Sequence, residues 1–127
     1  MRYTIEKHER YVIIEPLRQL IDAQAAHFLK GEFMLRNTSG QRNIVLDLSQ
    51  VEAIDEDGVR MGLLAHRLCH AVGGLFIVTG MQPAVTQMFK TASLDRHFIV
   101  VQSLTEAEDL IFGNEIQREL LGGIADE

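Results

Sequence analysis

Three consecutive carboxylates, Asp55-Glu56-Asp57, stand before Gly58 and form the densest cluster of ionisable side chains in the 127-residue chain. Oxygen ligands of this kind hold Mg²⁺ or Ca²⁺, but a metal loop spaces its ligands alternately so that they converge, whereas consecutive side chains diverge. Acids just before a helix have a simpler use. They accept hydrogen bonds from the free amides of the first turn and complement the positive end of the helix dipole, each contributing ~0.3–1 kcal/mol. Capping is therefore expected here, with Asp57 as a cap, and no metal or other cofactor is.

The remaining reactive residues form no catalytic set. Of the five histidines, His8, His27, His66, His70 and His97, only His66 and His70 have the i, i+4 spacing of two zinc ligands on one helix face. Arg67 follows His66 where a zinc protease motif needs Glu, and both histidines fall off the apolar stripe, as solvated residues do. Cys69, the single cysteine, lies beside that stripe and reads as a small buried apolar residue. Gly-x-Ser-x-Gly and a phosphate-binding glycine fingerprint are both missing from the sequence, so no enzyme is expected.

The acidic loop is carried by a regular alternation of elements. Tyr3–Glu6 and Tyr11–Glu15 read as strands joined by a charged turn, the second ending at Pro16. Asp22 is a candidate N-cap for a helix with Ala25, Ala26, Leu29 and Phe33 at helical spacing, fading around Arg36–Gly40. Ile44-Val45-Leu46 is apolar without alternation, as a strand covered on both faces would be, and Leu75–Thr79 has the same character. Between them, Met61, Leu64, Ala65, Leu68 and Val72 form a helical stripe that Gly73-Gly74 terminates. Pro83 suits a helix's first turn, with Val85, Met88, Phe89 and Ala92 on one face. Phe98–Val101 is a short strand. Thr105-Glu106-Ala107-Glu108 reads as a capping box opening a last helix with Ala107, Leu110 and Ile111 inward. This order predicts an α/β domain: a mostly parallel sheet of four to five strands, an N-terminal antiparallel hairpin and flanking helices.

Composition narrows the class of function. Twelve Lys and Arg against eighteen Asp and Glu leave a net charge of −6, which repels a phosphate backbone, so nucleic acid is not an expected partner. No apolar run approaches the ~18 residues that span a bilayer, and the N-terminus lacks the apolar core of a signal peptide. Membrane insertion is not expected. What remains is surface: Val59 and Leu63 beside the stripe, together with the acids, make a mixed apolar and acidic patch at a strand end, where α/β folds place binding sites.

In order and interval, Ile44-Val45-Leu46-Asp47-Leu48-Ser49, Ile54-Asp55-Glu56-Asp57-Gly58-Val59, Gly73-Gly74-Leu75, Gly80-Met81-Gln82-Pro83-Ala84-Val85 and Ser103-Leu104-Thr105-Glu106-Ala107 resemble the STAS domain. This is the module of sulfate transporters and anti-sigma factor antagonists. The resemblance implies residues 1–112 as a STAS domain, with 113–127 a C-terminal helical extension or tail. It implies a bacterial cytoplasmic regulator that works by binding an anti-sigma factor or a serine-kinase-like protein. It also assigns the contact surface to Asp55, Glu56, Asp57, Gly58, Val59, Arg60 and Leu63. In the family the kinase phosphorylates a Ser or Thr directly after the loop aspartate, here matched by Asp55. This chain departs from the pattern: the acceptor position is Glu56, the next is Asp57, and no Ser or Thr lies between Val51 and Ala71. A carboxylate carries about −1 where a phosphoryl group carries about −1.5 to −2, so the charge of Glu56 lies between the unmodified and the modified states, open to being read by a partner as either, and it cannot be switched by a serine kinase. A scaffold or oligomeric subunit, or a small-ligand sensor, of a signalling complex is the alternative reading, and a homo-oligomer is compatible with either.

Overall fold

The protein is described by a computed structural model over residues 1–94 and 97–125, with side chains up to residue 122 at the C-terminal end. A five-stranded sheet is made of β1 (Tyr3–Lys7), β2 (Val12–Pro16), β4 (Ile44–Asp47), β6 (Phe76–Thr79) and β7 (Ile99–Val101), in the order β1-β2-β4-β6-β7. β1 pairs antiparallel with β2, and every other pairing is parallel, as the alternation of elements predicts. Pro16 belongs to β2 after all, without violating its chemistry. β2 pairs with β4 only over Val12–Ile14, so at Pro16 the strand has left its central neighbour and faces only the edge strand β1.

Three helices cover one face of this sheet: α1 (Ala23–Thr38), α2 (Glu56–Ala71) and α3 (Pro83–Thr91). Val12, Ile14, Ile44, Leu46, Phe76 and Val78 point into this layer, where they meet Ala25, Leu29 and Phe33 from α1, Met61, Ala65 and Cys69 from α2, and Val85 and Phe89 from α3. The opposite face points Ile13, Val45 and Ile77 at one helix, α4 (Leu104–Ala125), which contributes Ala107 and Ile111. Both sides of the central strands are thus apolar and covered, which is why their sequences do not alternate.

Local signals explain the helix ends. Asp22 caps α1, its carboxylate accepting from the Ala25 amide at 2.9 Å. At the end of α2, Gly73 takes φ +77°, the Gly73 amide donates to the His70 carbonyl and the Gly74 amide donates to that of Cys69, the paired bonds of a Schellman motif. A Cβ on Gly74 would collide with the Arg42 carbonyl, so the second glycine is demanded by packing.

α4 differs from expectation in two respects. Its capping box is Ser103 with Glu106, two residues earlier than the Thr105–Glu108 pattern: Ser103 Oγ accepts from the Glu106 amide and Glu106 Oε2 from the Gln102 amide. Leu110 is 44% exposed and does not join Ala107 and Ile111 inside. The helix passes residue 113 without a break, and Glu115 is buried against the body, so its middle turns pack on the sheet layer. Residues 126 and 127 of the anticipated tail lie outside the described residues.

Glu115 explains how a polar residue can anchor that helix. Its carboxylate accepts from Arg42 Nε at 3.0 Å and from Asn43 Nδ2 at 2.7 Å, with Arg10 Nη1 at 3.7 Å. Asn43, itself fully buried, also donates to the Arg10 carbonyl and accepts from the Leu75 amide. Burial alone would raise the Glu115 pKa, but the hydrogen bonds from Arg42 and Asn43 and the charges of Arg42 and Arg118 outweigh it and hold the carboxyl below the usual carboxylate range.

Candidate acidic docking face

The acidic loop is positioned by a device that the sequence reading missed. Two two-residue strands, β3 (Leu20–Ile21) and β5 (Ala53–Ile54), pair in parallel beside the main sheet and each leads directly into a capped helix. Ile21-Asp22 precedes α1, Ile54-Asp55 precedes α2, and the Asp55 amide donates to the Ile21 carbonyl at 3.0 Å. The repeated Ile-Asp pair, one at each helix start, was the available signal. Strands of two residues lie below any periodicity that could reveal them. The loop before β5 is tied in turn: Gln82 Nε2 donates to the Ser49 carbonyl, and the Ser49 hydroxyl and amide both bond the Asp47 carboxylate.

Asp55, not Asp57, is the N-cap of α2, its carboxylate accepting from the Gly58 amide at 3.0 Å. The physical reason is register. The parallel ribbon fixes Ile54 as the last paired residue, so the next one, Asp55, still extended, is the one whose side chain faces the free amides. Glu56 and Asp57 occupy the first turn, exposed, where they complement the helix dipole. Glu56 Oε1 accepts from Arg60 Nη2 at 2.6 Å, four residues on, with both side chains largely in solvent. The exposed chemistry of the face is therefore two carboxylates with one guanidinium.

The other expected contact residues sit deeper. Gly58 is buried, and a Cβ there would collide with Ile54 and meet Ile21, so the first turn of α2 rests directly on the ribbon. Val59 has no exposed surface and belongs to the three-helix core, while Leu63 is half-buried and packs against it. These residues hold the face in place from below, and Asp55, Glu56, Asp57 and Arg60 form its outside. A shallow depression of about 290 Å³ lined by Glu56, Met88, Thr91 and Ala92 continues it toward α3.

His66 and His70 stack with ring centroids 6.0 Å apart, and His66 also meets Phe98 edge-on at 6.5 Å. His66 is half-buried, more enclosed than a solvated residue. Burial, then the positive charges of His70, His97 and Arg67, lower its pKa and favour the neutral ring. Among the described residues, no three His, Cys, Asp or Glu side chains are grouped to hold a metal ion. Cys69 is fully buried and its thiol is pushed up to about 12 by that burial. Among the described residues no helix is long and apolar enough to cross a membrane.

Comparison with known proteins bears on both fold and face. The chain is 26% identical over 103 residues to BtrV of Bordetella bronchiseptica, a protein provisionally named an anti-sigma factor antagonist, covering 81% of this chain and 88% of that one. Its fold matches the anti-sigma factor antagonist SpoIIAA of Bacillus in its unphosphorylated form, with TM-score 0.75, 20% identity, and 88% of this chain and 97% of the other covered. It also matches RsbS of Moorella thermoacetica, in a variant with serine replaced by glutamate, with TM-score 0.72, 28% identity, and coverage of 89% and 97%. The family model for the STAS domain matches residues 2–107, which takes in all seven strands, α1 to α3, the acidic loop and the first turn of α4. By sequence and by fold, this chain belongs to the STAS domain family.

Proposed function

We propose that this chain is a non-enzymatic regulator of the anti-sigma factor antagonist type, docking an anti-sigma factor or serine-kinase-like partner on the face formed by Asp55, Glu56, Asp57 and Arg60, with Leu63 at its edge. Gly58 and Val59 support that face from below. The observation that carries the reading is the placement of Glu56. It stands in solvent at the first turn of α2, at the position matching the family's phospho-acceptor, and it is held there by Asp55 capping and by Arg60.

The physical case is one of charge. A partner groove with basic side chains gains from Glu56 and Asp57, and both acids are already favoured by the helix dipole, so they are presented without strain. Serine phosphorylation has no acceptor in this stretch, so the face carries one fixed charge state. SpoIIAA, by contrast, is described in both unphosphorylated and phosphorylated forms. A binding partner therefore reads this chain as a constant signal, tuned by abundance of either protein and not by kinase activity. A cytoplasmic site of action goes with that role.

The test is a paired capture from lysate of the source organism using wild-type, Glu56→Ser and Glu56→Arg proteins as baits. An anti-sigma factor or a protein with a serine-kinase fold should be recovered by wild type, lost with Glu56→Arg, and bound more weakly as salt rises. The recovered kinase should phosphorylate Glu56→Ser and leave wild type unlabelled. Equal capture by all three baits, or recovery of no such protein, overturns the proposal.

A further inference from the structure

The sheet has two edges and guards them differently. β1 carries Glu6 and Lys7, with Arg2 just before it, and charges of this kind keep a further strand from adding to an edge. β7 ends the sheet on the other side without such a guard, since no residue from Phe98 to Thr105 is charged. Among the described residues, Ile99–Val101 pairs only with β6, so its outer row of backbone amides and carbonyls is open. The helix layers overhang this edge on both sides. Toward α3 a depression of about 290 Å³ is lined by Met81, Thr86 and Val100, and toward α4 one of about 580 Å³ is lined by Ile99, Asp109, Leu110 and Gly113. Val100 is 47% and Leu110 44% exposed, because the sheet ends where a next strand would cover them.

We infer that the outer edge of β7 is a strand-addition site, which takes an extended segment of a partner protein alternating apolar and basic residues. The open backbone selects an extended chain, because only another strand offers amides and carbonyls at matching intervals. The two depressions select it again. A strand lying about 4.8 Å beyond β7 points successive side chains to opposite faces, so they enter the α3 side and the α4 side in turn. Charge then selects the side chains. From Leu104 to Gln117, α4 holds Glu106, Glu108, Asp109 and Glu115 and no lysine or arginine. A Lys or Arg on the α4 side lays its stem on Leu110 and its charged head at Asp109. The α3-side lining has no ionisable group, and Val or Ile there packs on Met81 and Val100. The same acids argue against a second copy as the occupant, since pairing β7 with β7 would bring two sets of them together.

The test is an NMR titration of the full, nitrogen-15-labelled chain with the peptide acetyl-Lys-Val-Lys-Val-Lys-Val-amide, to about 2 mM. Shifts should saturate and centre on Ile99–Val101, Asp109 and Leu110, and amide exchange in β7 should slow. Two further peptides carry N-methyl groups, one on its lysines and the other on its valines. A strand pairs with β7 along one of its own edges only. One methylated peptide should therefore bind like the parent, and the other roughly tenfold more weakly. Asp109→Lys and Val100→Lys should each weaken the parent peptide roughly tenfold, with the melting temperature unchanged because both side chains are exposed. Glu56→Arg should bind the peptide as wild type does, which separates this result from the fate of the docking proposal. Shifts that do not saturate, shifts centred on the acidic loop, or equal binding of the two methylated peptides overturn the assignment. So does a wild-type chain that sediments as a dimer with its β7 amides already protected before peptide is added.

Discussion

The two faces of the sheet are built on different principles. The α1–α3 face gathers twenty-one buried apolar residues into one cluster among the described residues, and the α4 face gathers six. The first contains three interlocking phenylalanine contacts, Phe33–Phe76, Phe76–Phe98 and Phe89–Phe98, with centroids 5.1 to 6.2 Å apart. The second has two apolar anchors from its helix, Ala107 and Ile111, and a buried carboxylate between arginine and asparagine. Dispersion and burial grow with contact area and specify little about direction, whereas a charged network specifies direction and tolerates loss poorly. The thick face therefore supplies stability and the thin face supplies orientation of one helix.

Substitutions separate these roles, beginning with the largest effect. Phe76→Ala removes the fully buried ring that links Phe33 to Phe98 and should cost about 3–5 kcal/mol, lowering the melting temperature of the whole domain. Ile111→Ala should cost less, about 2–3 kcal/mol, because the thin face is closer to solvent and can relax around the deletion. Its signature should be accelerated hydrogen exchange confined to α4, and a uniform increase across all elements would break the comparison.

Glu115→Gln should cost about 1–3 kcal/mol at neutral pH by leaving Arg42 poorly satisfied. The pH dependence has a definite sign. Because the folded-state pKa of Glu115 is depressed, its contribution is complete above the ordinary carboxylate range and is lost as pH falls through that range and below. Urea unfolding measured from pH 7 to 3 should therefore give a steeper acid decline for wild type than for Glu115→Gln. Parallel curves would remove Glu115 as the anchor.

Smaller effects belong to the helix starts. Asp22→Ala and Asp55→Ala should each cost about 1 kcal/mol as N-caps, with Asp57→Ala well below either. Chemical denaturation of the three variants distinguishes the cap assigned by the structure from the one expected from the sequence. Last, Cys69 should resist thiol reagents at pH 8 in the folded protein and react fully in denaturant, since its thiol stays protonated to about 12.

Much of this architecture was legible in the chain. Unalternating Ile44-Val45-Leu46 announced a covered strand, Asp22 announced a cap, Gly73-Gly74 announced a helix end, and the order of elements announced the mixed sheet with its hairpin. The loop acids were legible as a group but not by role, because three neighbouring carboxylates compete for one cap and only the register of β5 against β3 selects Asp55. Val59 and Leu63 illustrate the same ambiguity in apolar form. Helical spacing places both near the stripe, and the position of the ribbon beneath α2 decides that Val59 is core and Leu63 half-covered.

Sequence alone determined the periodicities, the cap residue types, the glycines and the charge, because each of these is a property of residues near one another along the chain. It also determined that Glu56 cannot accept a phosphoryl group from a serine kinase. Tertiary structure alone decided that Ile21 and Ile54 become neighbours, that Glu115 meets Arg42 from 73 residues away, and that Leu110 and Ile116 are left exposed while Phe112 meets Tyr11 edge-on. These depend on which surfaces meet across the fold. A helix whose apolar residues point in more than one direction carries no periodic mark to say which of them the sheet will cover.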